Sequence, residues 1–236
     1  MRLIPLLLVL AAALSSLTGS AQKTDAQAWA KIARYAADNT AVTAAPKYVF
    51  MGNSITEFWP EKDPGFFATN NIVGRGVAGQ TSAQMLLRFV PDVVNLKPKG
   101  VLILAGINDI AENAGSYSEE FTMDNIRAMV LMARSAGIVP ILATVLPASS
   151  IYWNKDVTDV SEKIQSLNGR IKTFAVEQGL YCIDWYPGLV GLDARSINPD
   201  FSDDGLHPNE TGYAVKEAPG LPSRHSLSHS GADRRR

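Results

Sequence analysis

Asp204 and His207 stand three residues apart in Asp203-Asp204-Gly205-Leu206-His207-Pro208, and Gly205 lets the loop between them fold back. In that arrangement a carboxylate can hold one imidazole nitrogen while the other faces outward as a base. Ser54, in Met51-Gly52-Asn53-Ser54-Ile55-Thr56, follows an apolar run where a strand would give way to a helix. A serine at such a turn can present its hydroxyl above a sheet while its own N–H points into the same space. Capping the helix is the plainer use of that position. The chemistry that combines the three groups is acyl transfer. His207 would take the Ser54 proton and return it to a leaving alcohol, while Asp204 fixes the imidazole tautomer and stabilises the imidazolium.

Two further segments carry donors. Gly74-Arg75-Gly76-Val77-Ala78-Gly79-Gln80-Thr81 is rich in glycine, and Gly76 offers a backbone N–H that no side chain blocks. Turn geometry alone would also explain those glycines. Ala105-Gly106-Ile107-Asn108-Asp109 ends a third apolar run, and the Asn108 amide can donate to an oxygen without carrying charge. Donors aimed at a developing oxyanion are each worth about a hundred- to a thousandfold in rate. An Asn/Asp turn after a strand is the alternative. Aromatic residues flank these segments: Phe58 and Trp59 follow Ser54, and Tyr152 and Trp153 lie in a later loop. Trp59, Tyr152 and Trp153 are candidate substrate contacts, whereas core packing suits Phe58 at least as well.

The elements that must position these groups are legible as alternating patterns. Short apolar runs at 48–51, 71–73, 101–105, 139–145 and 180–183 are nearly continuous, as strands buried on both faces of a parallel sheet require. Between them lie helical signals. Asp25–Asn39 carries Trp29, Ile32 and Ala36 at helical spacing. Thr81 with Gln84, and Ser116 with Glu119, form capping-box patterns, and Gly137 suits a helix exit. Ile164, Leu167, Ile171 and Phe174 make an apolar stripe closed by Gly179. The alternation predicts one three-layer α/β/α domain, whose ligands bind at the carboxyl ends of the strands. The segments that carry Ser54, Gly76 and Asn108 begin at those ends.

Composition narrows the function classes. The 236 residues carry a formal net charge of −1 and no long basic stripe, so a nucleic-acid partner is not expected. Cys182 is the single cysteine and cannot form an intrachain disulfide; its apolar neighbours suggest a buried thiol. Of three histidines, His225 and His229 sit in a Ser/Gly/Arg-rich tail, leaving His207 for a folded core. No histidine-ligated zinc site and no cofactor are expected. Arg2, the apolar run 3–14 and small residues through Ala21 follow the layout of a cleavable export signal, which predicts a secreted or periplasmic protein. A membrane anchor is the alternative, but the run is shorter than the roughly 20 residues a span needs. The expected organisation is signal 1–21, catalytic domain 22–215, and a disordered tail 216–236, where Pro219, Gly220 and Pro222 break helical periodicity. Such an ending could leave apolar surface uncovered and promote association.

Taken together, Gly-Asn-Ser-Ile-Thr, Gly-Arg-Gly-Val-Ala-Gly, Gly-Ile-Asn-Asp and Asp-Gly-Leu-His-Pro occur in the order of the blocks of SGNH (GDSL-like) hydrolases, and the chain resembles that family from Tyr48 to Tyr213. The likeness is greatest to secreted bacterial members and acetylhydrolases of the platelet-activating-factor type. The resemblance implies a flavodoxin-like five-stranded parallel sheet and a metal-independent serine esterase with catalytic Ser54, His207 and Asp204. It also implies an oxyanion hole formed by the Ser54 and Gly76 N–H groups and the Asn108 side chain. Asn53 departs from the usual aspartate before the nucleophile, and the segment after Val215 departs from the usual closing helix. Export and the flanking aromatics favour small O-acyl, chiefly O-acetyl, esters of carbohydrates. A lysophospholipase or thioesterase activity is an alternative, as is a carbohydrate-binding protein that has lost turnover. A flavin or nucleotide site is a third reading, disfavoured because no Gly-x-Gly-x-x-Gly follows the first strand.

Overall fold

The computed structural model describes residues 25–218, 220 and 221. The expected export signal and most of the expected tail lie outside those residues. Five parallel strands form the sheet: β1 (Tyr48–Gly52), β2 (Ile72–Gly76), β3 (Gly100–Ile103), β4 (Val139–Ala143) and β5 (Tyr181–Ile183). Their order is β2-β1-β3-β4-β5, so the chain reverses direction across the sheet after β2. Every residue of β1 and β3 is buried, which explains why these runs lack polar alternation.

Six helices matter for the site: α1 (Ser54–Glu57), α2 (Ser82–Leu87), α3 (Ile107–Ile110), α4 (Glu119–Ser135), α5 (Val160–Gln178) and α6 (Glu210–Glu217). On one face α2, α4 and α5 pack together. On the other, α6 joins the turns Trp59–Lys62, Pro64–Thr69 and Tyr186–Leu189. The result is the three-layer α/β/α architecture that the alternating pattern predicts. Gly179 ends α5 in the left-handed region at φ 60°, as its place after the apolar stripe requires.

Four local expectations change. The predicted helix 25–39 is broken into Ala26–Trp29, a 3-10 turn Ile32–Tyr35, and Ala36–Ala41, with Lys31 left-handed at φ 50°. Tertiary bonds claim its carbonyls: Trp29 O accepts from Gln84 Nε2 (2.8 Å) and Ala30 O from Gln80 Nε2 (2.7 Å). Strand β2 runs on through Gly74-Arg75-Gly76, which the glycines marked as loop, because Phe50–Gly52 of β1 pair with those residues. Ser118, not Ser116, caps α4, its Oγ accepting from Phe121 N. The boundary after Val215 is also too early. Helix α6 continues to Glu217, and Lys216 is 3% exposed, so these residues fold with the domain.

Candidate active site

The site is assembled from a turn that only glycine permits. A Cβ on Gly52 would lie 2.0 Å from Thr56 Oγ1, so the residue must be glycine for α1 to fold back over the end of β1. Asn53 caps that helix, its Oδ1 accepting from Ile55 N at 3.1 Å. A neutral amide is sufficient for this bond, which accounts for Asn where a resembling sequence would carry Asp. Ser54 is the first residue of α1 and 7% exposed.

Its Oγ lies 2.9 Å from His207 Nε2, and His207 Nδ1 lies 2.6 Å from Asp204 Oδ2. The two carboxylate oxygens of Asp204 have different duties. Oδ1 accepts from the N–H groups of Leu206 (2.9 Å) and His207 (2.7 Å), folding the loop, while Oδ2 meets the imidazole. Gly205 adopts φ 79°, the left-handed conformation that this reversal needs. Burial pushes the Asp204 carboxyl upward, but hydrogen bonds from the His207 ring and two backbone N–H groups outweigh it and hold the group below the usual carboxylate range. Asp204 is therefore ionised at neutral pH. The Phe58 ring packs against the imidazole, 5.4 Å between centroids.

Residues 54 and 207 meet because α6 is fastened to α1. Tyr213 on α6 donates its hydroxyl to Ile55 O at 2.8 Å, and Gly212 lets α6 close on the preceding loop, where a Cβ would lie 2.3 Å from Phe201 O. Asn209 caps the helix, its Oδ1 accepting from Gly212 N at 3.0 Å.

Gly76 lies opposite Gly52 in the β1–β2 register, and a Cβ there would sit 2.1 Å from Glu57 N. Two residues on, Ala78 donates its N–H to Glu57 Oε2 at 2.5 Å, and the Tyr35 hydroxyl donates to Gly76 O. Asn108 is on α3 just beyond β3, 2% exposed, with Nδ2 donating to Gln80 O at 2.9 Å and Oδ1 accepting from Asn113 Nδ2 at 3.0 Å. Its second amide hydrogen has no partner among the described residues. Gly76 thus ends β2, while Ser54 and Asn108 follow the carboxyl ends of β1 and β3, so the three lie at one edge of three adjacent strands with the serine after the central one. Asp109, beside Asn108, serves α2 instead: Ser82 N donates to its Oδ2 at 2.9 Å.

The aromatic candidates divide. Trp59 is 1% exposed, stacked with Phe66 and Tyr213 and donating its indole N–H to Glu217, so it is a core residue that offers no face to a substrate. The expectation of substrate contact there is corrected; its position five residues after Ser54 carried no information about direction. Tyr152 and Trp153 are 54% and 41% exposed and pack edge to face. Trp153 Nε1 donates to Asn113 Oδ1 at 2.8 Å, tying it to Asn108.

Several supporting residues escape a reading by motif. Arg88 is fully buried, paired with Asp92 at 2.9 Å and donating to Gly52 O at 2.8 Å and to Gln80 Oε1. It braces both the turn before Ser54 and the loop after Gly76. The i,i+4 spacing of Arg88 and Asp92 among apolar residues was a usable signal; Tyr35, Glu57 and Asn113 left none. Among the described residues no group of three or more His, Cys, Asp or Glu gathers as a metal site.

The GDSL-like Lipase/Acylhydrolase family profile matches residues 50–215. A GDSL-like lipase of Bacteroides thetaiotaomicron is 45% identical with a TM-score of 0.77, over 80% of this chain and 95% of that one. Axe2, an acetylxylan esterase from Geobacillus stearothermophilus, is 17% identical with a TM-score of 0.59, over 75% of this chain and 93% of that one, a likeness of fold. YqeF, a lipoprotein of Bacillus subtilis, is 36% identical over 80 residues, which span 33% of this chain and 33% of that relative.

Proposed function

This chain belongs to the GDSL-like lipase/acylhydrolase family and is a carboxylic ester hydrolase, and we propose that it works by a Ser-His-Asp acyl-enzyme mechanism on small O-acyl esters, chiefly O-acetyl groups of carbohydrates. The observation that supports the mechanism is the unbroken hydrogen-bond chain from Ser54 through His207 to Asp204. Ser54 Oγ attacks the ester carbonyl as its proton passes to His207 Nε2. The carbonyl oxygen takes up negative charge and is met by the Ser54 and Gly76 N–H groups and the free Asn108 amide hydrogen. Collapse breaks the bond to the alcohol, which leaves with the proton from Nε2. A water then gives its proton to Nε2 and attacks the acyl carbonyl, and Ser54 departs reprotonated as the acid is released. Asp204 keeps the Nδ1 proton in place throughout and offsets the imidazolium charge.

The substrate reading rests on the exposed Tyr152 and Trp153, which suit stacking on sugar rings, and on the link from Trp153 to Asn108 through Asn113. The fold shared with an acetylxylan esterase makes acetylated xylan a sensible first glycan to test. Residues 1–21 we read as an export signal; among the described residues no helix is long and apolar enough to cross a membrane. The test is hydrolysis of 4-nitrophenyl acetate and acetylated xylo-oligosaccharides by the wild type and by Ser54→Ala. The variant should lose at least a thousandfold in kcat, and chelators should leave the wild type unchanged. Full activity in the variant overturns the mechanism. Rapid turnover of long-chain acyl esters with none of acetylated sugars overturns the substrate class.

A further inference from the structure

We propose that Asn113 is a positioning residue for the oxyanion donor Asn108, and that Trp153 sets its orientation and so couples the substrate-facing aromatic surface to the reacting centre. This rests on the mechanism proposed above and deepens it. The argument begins with the indole, whose N–H can only donate. Trp153 Nε1 donates to Asn113, so the Asn113 atom facing it must be the carbonyl oxygen. The Asn113 amide nitrogen consequently faces the other way, toward Gly79 O (3.1 Å) and Asn108 Oδ1 (3.0 Å). Asn108 must then turn its oxygen to Asn113 and its nitrogen to Gln80 O. One donor-only group thus fixes the sense of two successive amides, and the remaining Asn108 hydrogen is left for a ligand.

The surrounding backbone supports the same assignment. Glu112 adopts φ 60°, a conformation rare for a residue with a side chain, immediately before Asn113. Asn113 N donates to Asn108 O at 3.1 Å, closing the turn that brings the two side chains together. The loop carrying Trp153 is held a second time by Asn154 Nδ2 donating to Ala111 O at 3.0 Å. By bonding Gly79 O, Asn113 also ties Asn108 to the loop that begins at Gly76. A ring stacked on Trp153 would cover its hydrogen bond to Asn113, and bonds withdrawn from water strengthen. Binding energy at the aromatic surface would then appear in kcat as well as in KM.

The test compares Asn113→Ala, Trp153→Phe (which keeps a ring and removes the N–H) and the double variant with the wild type. Each is assayed on an acetate ester and its thionoester, whose sulfur is a poorer acceptor for oxyanion donors. Asn108 is displaced rather than removed, so Asn113→Ala should lower kcat on the ester about tenfold, a fraction of a whole donor's contribution. KM should stay within about twofold, and the preference for ester over thionoester should fall by a factor similar to the kcat loss. Trp153→Phe should lower kcat about threefold, and the double variant should be no worse than Asn113→Ala alone. A Ser54-dependent wild type whose Asn113→Ala variant keeps both kcat and the ester preference overturns this proposal alone. So does strict additivity in the double variant. Hydrolysis that survives Ser54→Ala overturns the parent mechanism, and this proposal with it.

Discussion

At the scale of single residues, the site divides work between atoms of one side chain. Asp204 uses one oxygen to fold its own loop and the other to hold the His207 ring. Asn in its place keeps an acceptor for the loop N–H groups, but it must either turn its NH2 toward Nδ1 or surrender a loop bond. Keeping both loop bonds puts the NH2 against Nδ1, and the ring is then held with Nε2 protonated, unable to accept from Ser54. Asp204→Asn should therefore lower kcat by about 10⁴ with little change in KM, read from steady-state kinetics on 4-nitrophenyl acetate. A loss below tenfold would show that the carboxylate is not the orienting group. Sequence alone gave Asp204 and His207 their spacing and types. It did not give Asn113, because an asparagine five residues from Asn108 looks like any other turn residue until the indole of Trp153 is seen to bond it.

At the scale of elements, α6 does more than close the fold. It carries Tyr213, which bonds the turn at Ile55, and Lys216, whose ammonium is buried among three rings: Trp59 at 3.8 Å, Trp185 at 4.7 Å and Tyr213 at 4.8 Å from Nζ to centroid. Nζ has no hydrogen-bond partner among the described residues. Burial pushes the Lys216 pKa well down, and the nearby Glu217 carboxylate offsets only part of that. The folded chain thus binds fewer protons here than the unfolded chain, so this group adds stability as pH rises from its folded pKa toward the unfolded value of about 10.4. Lys216→Met replaces the buried amine with an apolar side chain of similar length. It should stabilise by about 1–3 kcal/mol at pH 7, and the gain should shrink as the pH is raised to 10, measured by thermal denaturation. A lower Tm for the variant, or a gain independent of pH, would contradict this account. Proline and glycine after Val215 suggested that the fold ended there. The structure places two more helical residues, because packing against Trp59 and Trp185 overrides local propensity.

At the scale of the molecule, a sheet that changes direction once puts β1 between β2 and β3 and brings three loops to one edge. The positions of β1 and β3 were readable because strands buried on both faces are short and apolar throughout, and the long helices α4 and α5 because their apolar stripes keep a fixed spacing. Two more features depended on contacts that no local window shows. The N-terminal helix broke because Gln80 and Gln84, some 50 residues away, take its carbonyls. Trp59 turned inward because Phe50, Phe66 and Trp185 form a cluster that no local window contains. What the whole fold must achieve is to bring a hydroxyl and an imidazole 153 positions apart into contact. The direct measurement is peptide mass spectrometry after treating the folded protein with a fluorophosphonate, followed by residual esterase assay. The account predicts one adduct, on Ser54, with inactivation in proportion to labelling and no labelling of His207→Ala on the same timescale. An adduct on another serine that tracks the loss of activity, or undiminished labelling of Ser54 without His207, would contradict it.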